Sequence, residues 1–453
     1  MKLSERIKQM TFFKQLKKPF LALVTVLTVV SSLSVASFFA PKASAATLPD
    51  QTDSSLNIDA KAAIAVDAKT GQVLYAKNAE QTLPVASMSK LLTAYMVLQA
   101  IDQGKLKWDQ KVTPSDAAQE VSQDTTLSNV PLKKGESYTV KSLYQATLIY
   151  SANGAAMALA DAVGGTQKNF IDLARKEAKK MGITDAEIYT ANGLTNGEVK
   201  DGKYPGASDT AENKFSAKDM AILSQRLLKD YPEILETTKI KRMNFNNGTD
   251  QTVMENWNWM LPGLAKAYSE LPVDGLKTGT SDSAGACFAA TVNKGGHRLI
   301  TIVLGAKHDS QEDLSRFEET QKIMSYCYNN YTYTTLTKGM TFKKTNTLPV
   351  YHGKELTTKV SLGQTTDVWL KSGVTKEQLQ AKAVGDKKLY KKDGLQAPLK
   401  KGQIVGTLEV TAKDQKLYYL DGKTYLSAKA QTTSEVKKAN IFVIGWRAVT
   451  SLF

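Results

Sequence analysis

The sequence predicts an α+β domain with helices packed on an antiparallel sheet, then a small all-β domain, then a C-terminal amphipathic helix. Three observations carry this reading. Apolar residues recur at helical spacing through Lys141–Val163, Gln167–Met181 and Ser216–Leu228. Two apolar runs, Cys287–Val292 and His297–Leu304, flank Lys294-Gly295-Gly296 and read as a hairpin. The helix-like pattern ends near Tyr331, and beyond Gly339 short β-rich runs recur: Lys359–Leu362, Asp367–Leu370, Gln403–Thr411 and Lys416–Leu420. A chain of 453 residues is also long for one domain.

Taken in order, residues 1–19 carry Lys2, Arg6, Lys8, Lys14, Lys17 and Lys18, followed by the uncharged run Phe20–Pro41 and an A-x-A pattern at Ala43-Ser44-Ala45. Residues 1–45 are therefore predicted to be a secretory signal peptide. An uncleaved anchor is the alternative, because Phe20–Ala40 approaches the roughly 20 residues that span a bilayer. Residues 46–335 are predicted to form the α+β domain. Within it, Ala62–Val66 and Gln72–Ala76 read as a hairpin turning at Lys69-Thr70-Gly71. After Pro84, the residues Met88, Leu91, Leu92, Tyr95 and Leu98 form the apolar stripe of a buried helix. Residues 340–430 are predicted to be the all-β domain, acting as a spacer or docking platform. In 434–453, Ala439, Phe442, Val443, Trp446, Val449 and Phe453 share a helix face, Lys437 and Lys438 lie near its start, and Arg447 interrupts the apolar part. That segment is too short to cross a bilayer and suits a helix lying in a membrane surface. The alternative is a helix packed on the protein's own core.

Three short motifs carry the chemistry: Ser87-Met88-Ser89-Lys90, Ser151-Ala152-Asn153 and Lys277-Thr278-Gly279. A serine hydroxyl is a poor nucleophile and needs a neighbouring base. On a helix, Ser87 and Lys90 lie one turn apart on one side. Lys90 acts as a base only if burial or a positive neighbour lowers its pKa, and Lys277 is a candidate for that neighbour. Ser151 would relay a proton toward the leaving group, and the Asn153 amide would hold the substrate backbone. Lys277 sits on or at the start of a strand leading into Thr280. There Lys277 and Thr278 would bind a carboxylate, and the Thr280 N–H would join that of Ser87 in an oxyanion hole. The plainer alternative makes Ser87 a helix cap and Lys90 a solvated first-turn residue. The earlier Lys69-Thr70-Gly71 precedes the serine motif and is read as structural.

Other classes are excluded by composition. Residues 1–45 hold six of the fifteen net positive charges, leaving +9, a balance suited to anionic lipid or wall polymer. No nucleic-acid motif is present, and the charge is spread along the chain. His297, His308 and His352 lack metal-ligand spacing, so neither a metal nor another cofactor is expected. Cys287 and Cys327 are too few for a disulfide framework and read as small buried hydrophobes, with a bridge between them as the alternative.

The three motifs in this order are a known signature of penicillin-binding proteins and class A β-lactamases. Pro84–Thr93, Leu148–Ala156, Asn192-Gly193-Leu194, Ser216–Ala221 and Val273–Thr280 resemble the low-molecular-weight penicillin-binding proteins, the serine-type D-alanyl-D-alanine carboxypeptidases. The resemblance runs from roughly Ala46 to Tyr331 and implies a β-lactamase/transpeptidase-like fold. It implies removal of the terminal D-alanine from peptidoglycan pentapeptide stems through an acyl-enzyme on Ser87, with β-lactam antibiotics as covalent inhibitors. In it Lys90 is the base, Ser151 is catalytic, and Asn153, Lys277, Thr278, Gly279 and Thr280 bind substrate. Arg316, in the helix-like Leu314–Tyr328, would help bind the substrate carboxylate; the alternative is a solvated helix arginine. The resemblance also implies attachment to the outer face of the cytoplasmic membrane by the C-terminal helix. A β-lactamase would need a deacylating glutamate, and no clear motif for one stands between Asn153 and Lys277, although Glu187 and Glu198 lie in that region. A non-catalytic wall-binding protein of the same fold is the other alternative.

Overall fold

A computed structural model describes residues 48–450, apart from residues 54, 247–249, 311, 312, 344 and 345. The predicted signal peptide and Phe453 lie outside the described residues.

A five-stranded antiparallel sheet forms the centre of the first domain. Its order is Val73–Lys77, Ala60–Asp67, His297–Ala306, Gly285–Lys294 and Val273–Ser281. Both faces are covered, so the strands read as almost unbroken apolar runs. Ala62, Ile64 and Val66 join a core with Leu91, Leu98 and Leu223, whereas Ala63, Ala65 and Phe288 face a second core with Phe317, Ile323 and Cys327. The helices Lys90–Asp102 and Ala217–Asp230 belong to the first core, and Ser315–Asn330 belongs to the second. Ser216 and Asp219 form a capping box at the start of Ala217–Asp230.

The single helix expected over Lys141–Val163 is two helices, Val140–Ile149 and Asn153–Gly164. The break falls at Ser151, whose φ of 63° no α-helix accommodates. Apolar residues continue across the break because both helices are largely buried, Asn153–Ala160 without interruption, which is why spacing alone does not reveal it.

The second domain holds a seven-stranded sheet beginning at Leu379–Gly385 and ending at the short hairpin Tyr390–Lys391 and Gly394–Gln396. Tyr331–Leu336 pairs separately with Thr366–Lys371. Lys416–Leu420, expected to be a strand of this domain, is not one. Only Tyr419 makes a bridge, to Gln72 of the first domain. The run lies between the domains: Leu417 and Tyr419 enter the β-domain core, while Tyr418 and Leu420 pack on the first domain, where Val73 N–H donates to Tyr418 O at 2.8 Å and Leu420 N–H to Gly71 O at 2.9 Å.

The Lys69-Thr70-Gly71 turn is a joint between the domains. Lys69 pairs with Asp367 at 2.6 Å. The buried Asp67 carboxylate accepts from Thr70 N–H at 2.6 Å and from Trp369 Nε1 at 2.9 Å. Gln72 exchanges two hydrogen bonds of 2.8 Å with the Trp369 backbone.

The chain's last described element, helix Ile441–Thr450, has no buried residue. Ile441, Phe442 and Trp446 are 78%, 84% and 69% exposed. Arg447 ties it to the β domain by donating to Gly353 O and Lys354 O at 2.8 and 2.9 Å. Packing on the protein's own core is thus not what this helix does. Among the described residues, no helix is long and apolar enough to cross a membrane.

Candidate active site

Ser87 lies on a 3-10 turn, Ala86–Ser89, that runs directly into the helix Lys90–Asp102. The turn starts at Ala86 with φ of 46°, and Ser89 Oγ donates to Ala86 O at 2.7 Å. This conformation brings Lys90 Nζ within 2.7 Å of Ser87 Oγ. The same nitrogen reaches Asn153 Oδ1 at 2.7 Å and Asn192 O at 2.8 Å. Two of its partners, the amide and carbonyl oxygens, can only accept, and the third, the hydroxyl, can donate. A neutral amine with two N–H groups and one lone pair satisfies this set.

Electrostatics favour that neutral form. Lys90 is fully buried, and its pKa lies well below the ordinary lysine value, first because of desolvation and then because of Lys277. Lys277 is itself pushed down to about 7 by burial and by Arg316. A serine-capped helix with a solvated lysine is therefore not what these residues make.

Ser151 and Asn153 face the same cleft from the break between two helices. Asn153 is doubly held, by Lys90 and by its own Nδ2 donating to Ser128 O at 3.1 Å. In this structure its amide positions Lys90, a role the spacing did not indicate.

Lys277, Thr278 and Gly279 lie on Val273–Ser281, the strand at the sheet's outer edge. An edge strand offers unpaired backbone groups to an extended peptide. Gly279 lets this strand approach the serine turn: a Cβ there would lie 2.4 Å from Val85 O. Lys277 Nζ donates to Thr278 O at 2.9 Å. Arg316 is buried, not solvated, and donates from one nitrogen to Gly279 O at 2.9 Å and Thr280 Oγ1 at 2.7 Å.

A cleft of about 230 Å³ contains Ser87, Ser151, Asn153, Thr278, Gly279, Thr280 and Arg316 among its lining residues. Lys90 and Lys277 are buried and are not among its lining residues. The sequence reading missed its aromatic wall, Trp257 and Trp259, and the adjoining Phe317, Leu127 and His308. Trp257-Asn258-Trp259 places two of the chain's five tryptophans in three residues, a signal that was available. Neither Glu187 nor Glu198 lines the cleft: Glu187 pairs with Lys214, and Glu198 accepts from Thr195 N–H. Cys287 and Cys327 are free and buried, and burial pushes the Cys287 thiol up to about 11.

A family model described as D-alanyl-D-alanine carboxypeptidase matches residues 49–308, and one for the penicillin-binding protein 5 C-terminal domain matches residues 331–438. The chain is 32% identical over 425 residues to the D-alanyl-D-alanine carboxypeptidase DacC of Escherichia coli, covering 92% of this chain and 93% of that protein. It is 29% identical over 402 residues to DacF of Bacillus subtilis, covering 88% and 92%. The crystal structure of a peptidoglycan synthesis regulatory factor, PBP3, from Streptococcus pneumoniae superposes with a TM-score of 0.69 at 32% identity, covering 84% of this chain and all of that one. With a matching family model over most of its first domain and a relative of this likeness along nearly its whole length, the chain belongs to the D-alanyl-D-alanine carboxypeptidase family.

Proposed function

We propose that this protein removes the terminal D-alanine from peptidoglycan pentapeptide stems, with Ser87 as nucleophile and Lys90 as general base. The carrying observation is the 2.7 Å contact between Lys90 Nζ and Ser87 Oγ at a buried lysine whose pKa is depressed. Lys90 takes the Ser87 proton as Oγ attacks the penultimate D-alanine carbonyl. The Ser87 and Thr280 backbone N–H groups hold the developing oxyanion. Ser151 passes a proton to the departing D-alanine nitrogen as the C–N bond breaks and is reprotonated by Lys90, which returns to the neutral amine. Water then attacks the Ser87 ester and gives a proton to Lys90, which returns it to Ser87 Oγ as the ester C–O bond breaks and the shortened stem leaves. The stem lies along Lys277-Thr278-Gly279 as an added strand, and its terminal carboxylate meets Thr278 and Arg316, with the buried Lys277 behind them. β-Lactams acylate the same hydroxyl.

In this reading residues 46–335 are the catalytic domain, 340–430 a β domain between cleft and membrane, and 434–453 an anchor on the outer face of the cytoplasmic membrane. Residues 1–45 direct export. The exposed Ile441, Phe442 and Trp446 support the anchor. D-Alanine release from a soluble D-Ala-D-Ala peptide, compared between the chain and Ser87→Ala, tests the reaction. Release by both would overturn the nucleophile.

A further inference from the structure

The apolar helix Ile441–Thr450 emerges from one corner of the β domain, and that corner is built of three chain segments. Ala439 N–H donates to His352 O at 2.9 Å, Lys354 N–H donates to Lys437 O at 2.7 Å, and Gly353 bridges Lys438. The third segment is the hairpin Tyr390–Lys391 and Gly394–Gln396, whose second strand runs parallel to Val350 and Tyr351. Together these segments gather five exposed lysines: Lys354, Lys391, Lys392, Lys437 and Lys438. Among the described residues none of the five makes an ion pair. With Arg447 they outnumber the carboxylates adjacent in sequence, Glu355, Asp393 and Glu435, two to one.

The corner is organised rather than a scatter of surface charge. His352 and Lys392 both hold positive φ, 58° and 52°, a cost that the surrounding contacts must offset. The His352 ring stacks on Tyr351 at 3.8 Å, and Lys392 Nζ lies 5.7 Å from the Tyr351 centroid. The His352 pKa is lowered by desolvation and then by Lys391, Lys438 and Lys392, which agrees with their converging on one spot. Like charges held together without counterions favour an anionic partner, and the exposed Ile441, Phe442 and Trp446 beside them favour hydrocarbon.

We infer that the Lys354, Lys391, Lys392, Lys437 and Lys438 corner is a docking surface for the anionic headgroups of a lipid bilayer. The β domain thereby touches the membrane itself and selects for negatively charged lipid, while the helix supplies apolar insertion. This rests on the anchor reading above and adds a lipid class and a second contact to it. Basic residues near an anionic surface each contribute about fivefold to partitioning, and the contribution falls with salt.

The test is co-sedimentation of the full chain with vesicles of phosphatidylcholine alone or with a minority of phosphatidylglycerol. The variants are Lys391→Gln/Lys392→Gln, that pair combined with Lys437→Gln/Lys438→Gln, and a control, Lys376→Gln/Lys413→Gln, at the opposite edge of the sheet. The expected result is preference for the anionic vesicles, a loss of about 600-fold in the quadruple variant, about 25-fold in the double variant, and none in the control. Peptide hydrolysis and the thermal midpoint should not change, since these lysines lie far from the cleft in sequence and on the other domain. Equal binding to both vesicle types, or equal loss in the control, overturns the inference. So does a loss confined to binding of an anionic wall polymer. Loss of binding in Phe442→Ser/Trp446→Ser alone keeps the anchor and removes this site, whereas parent protein that binds no vesicle removes both.

Discussion

Gly193 meets the Ala86 carbonyl too closely for any side chain: a Cβ on Gly193 would lie 1.9 Å from Ala86 O and 2.9 Å from Ser89 Oγ. Gly193 also holds φ of 85°. It follows Asn192, whose carbonyl accepts from Lys90, so this contact sets the serine turn against the loop that positions the base. Gly193→Ala is expected to destabilise the fold by about 2–4 kcal/mol through combined overpacking and backbone strain. Denaturant unfolding measures this, and penicillin acylation of the folded fraction should slow as Lys90 shifts. Unchanged stability would show that the loop can move aside.

Ser87→Ala should abolish covalent labelling by fluorescent penicillin and lower D-alanine release by at least about a thousandfold. The thermal midpoint should barely change, because the hydroxyl's partner Lys90 keeps its contacts to Asn153 and Asn192. Persistent labelling would move the nucleophile elsewhere.

The two buried lysines give a pH prediction with a definite sign. Lys90 must be neutral to act, and the Lys277 charge helps keep it so. Removing that charge in Lys277→Gln lets the Lys90 pKa rise, so the acid limb of the penicillin acylation profile should move to higher pH. A shift to lower pH, or none, would remove Lys277 from the control of Lys90. Stability carries a related signature. Lys277 falls to about 7 in the folded chain from an ordinary 10.5, so the unfolded chain binds more protons between those values. Stability should therefore rise with pH across that window, and the rise should flatten in Lys277→Gln.

Arg316→Lys should lower kcat/KM on the D-Ala-D-Ala peptide by about 10–100-fold, because a lysine cannot reproduce the guanidinium's fixed contacts. Gly279 O and Thr280 Oγ1 would lose their shared donor. Full activity in this variant would reduce Arg316 to a packing residue.

Asp67→Ala should cost about 2–4 kcal/mol by leaving the Trp369 and Thr70 donors without their acceptor at the domain joint. Unfolding followed by tryptophan fluorescence would also be expected to lose its single transition, as the β domain separates first. A single, unshifted transition would show that the other joint contacts suffice.

Much of the first domain was legible because its signals are local. Ser87 and Lys90 need only one helical turn between them, and the hairpin at Lys294-Gly295-Gly296 follows from its own residues. The features that were not legible depend on distant partners. Arg316 is buried because carbonyls 37 and 29 residues earlier in the chain, at Gly279 and Cys287, fold over it. Asn153 lines the cleft where a substrate ligand is expected, and its contact with Lys90, 63 residues before it, is a further role that spacing does not show. Lys416–Leu420 has the alternation of a strand because Leu417 and Tyr419 face the β-domain core and Tyr418 and Leu420 face the first domain, and alternation alone does not show that its backbone partners are in the first domain's hairpin. The break at Ser151 is hidden because the helices on both sides of it are largely buried, so apolar residues continue across it.

The turn at Lys69-Thr70-Gly71, clasped by Asp367, Trp369 and the Tyr418–Leu420 segment, makes the junction of the two domains a weld instead of a hinge. A hinged enzyme on a tether would sweep a hemisphere around its anchor. A welded one carries its cleft at a constant height and bearing above whatever surface holds the helix Ile441–Thr450. With the membrane anchor proposed above, its reach is a thin layer parallel to that surface, and stems are selected by their depth in the wall as much as by their chemistry.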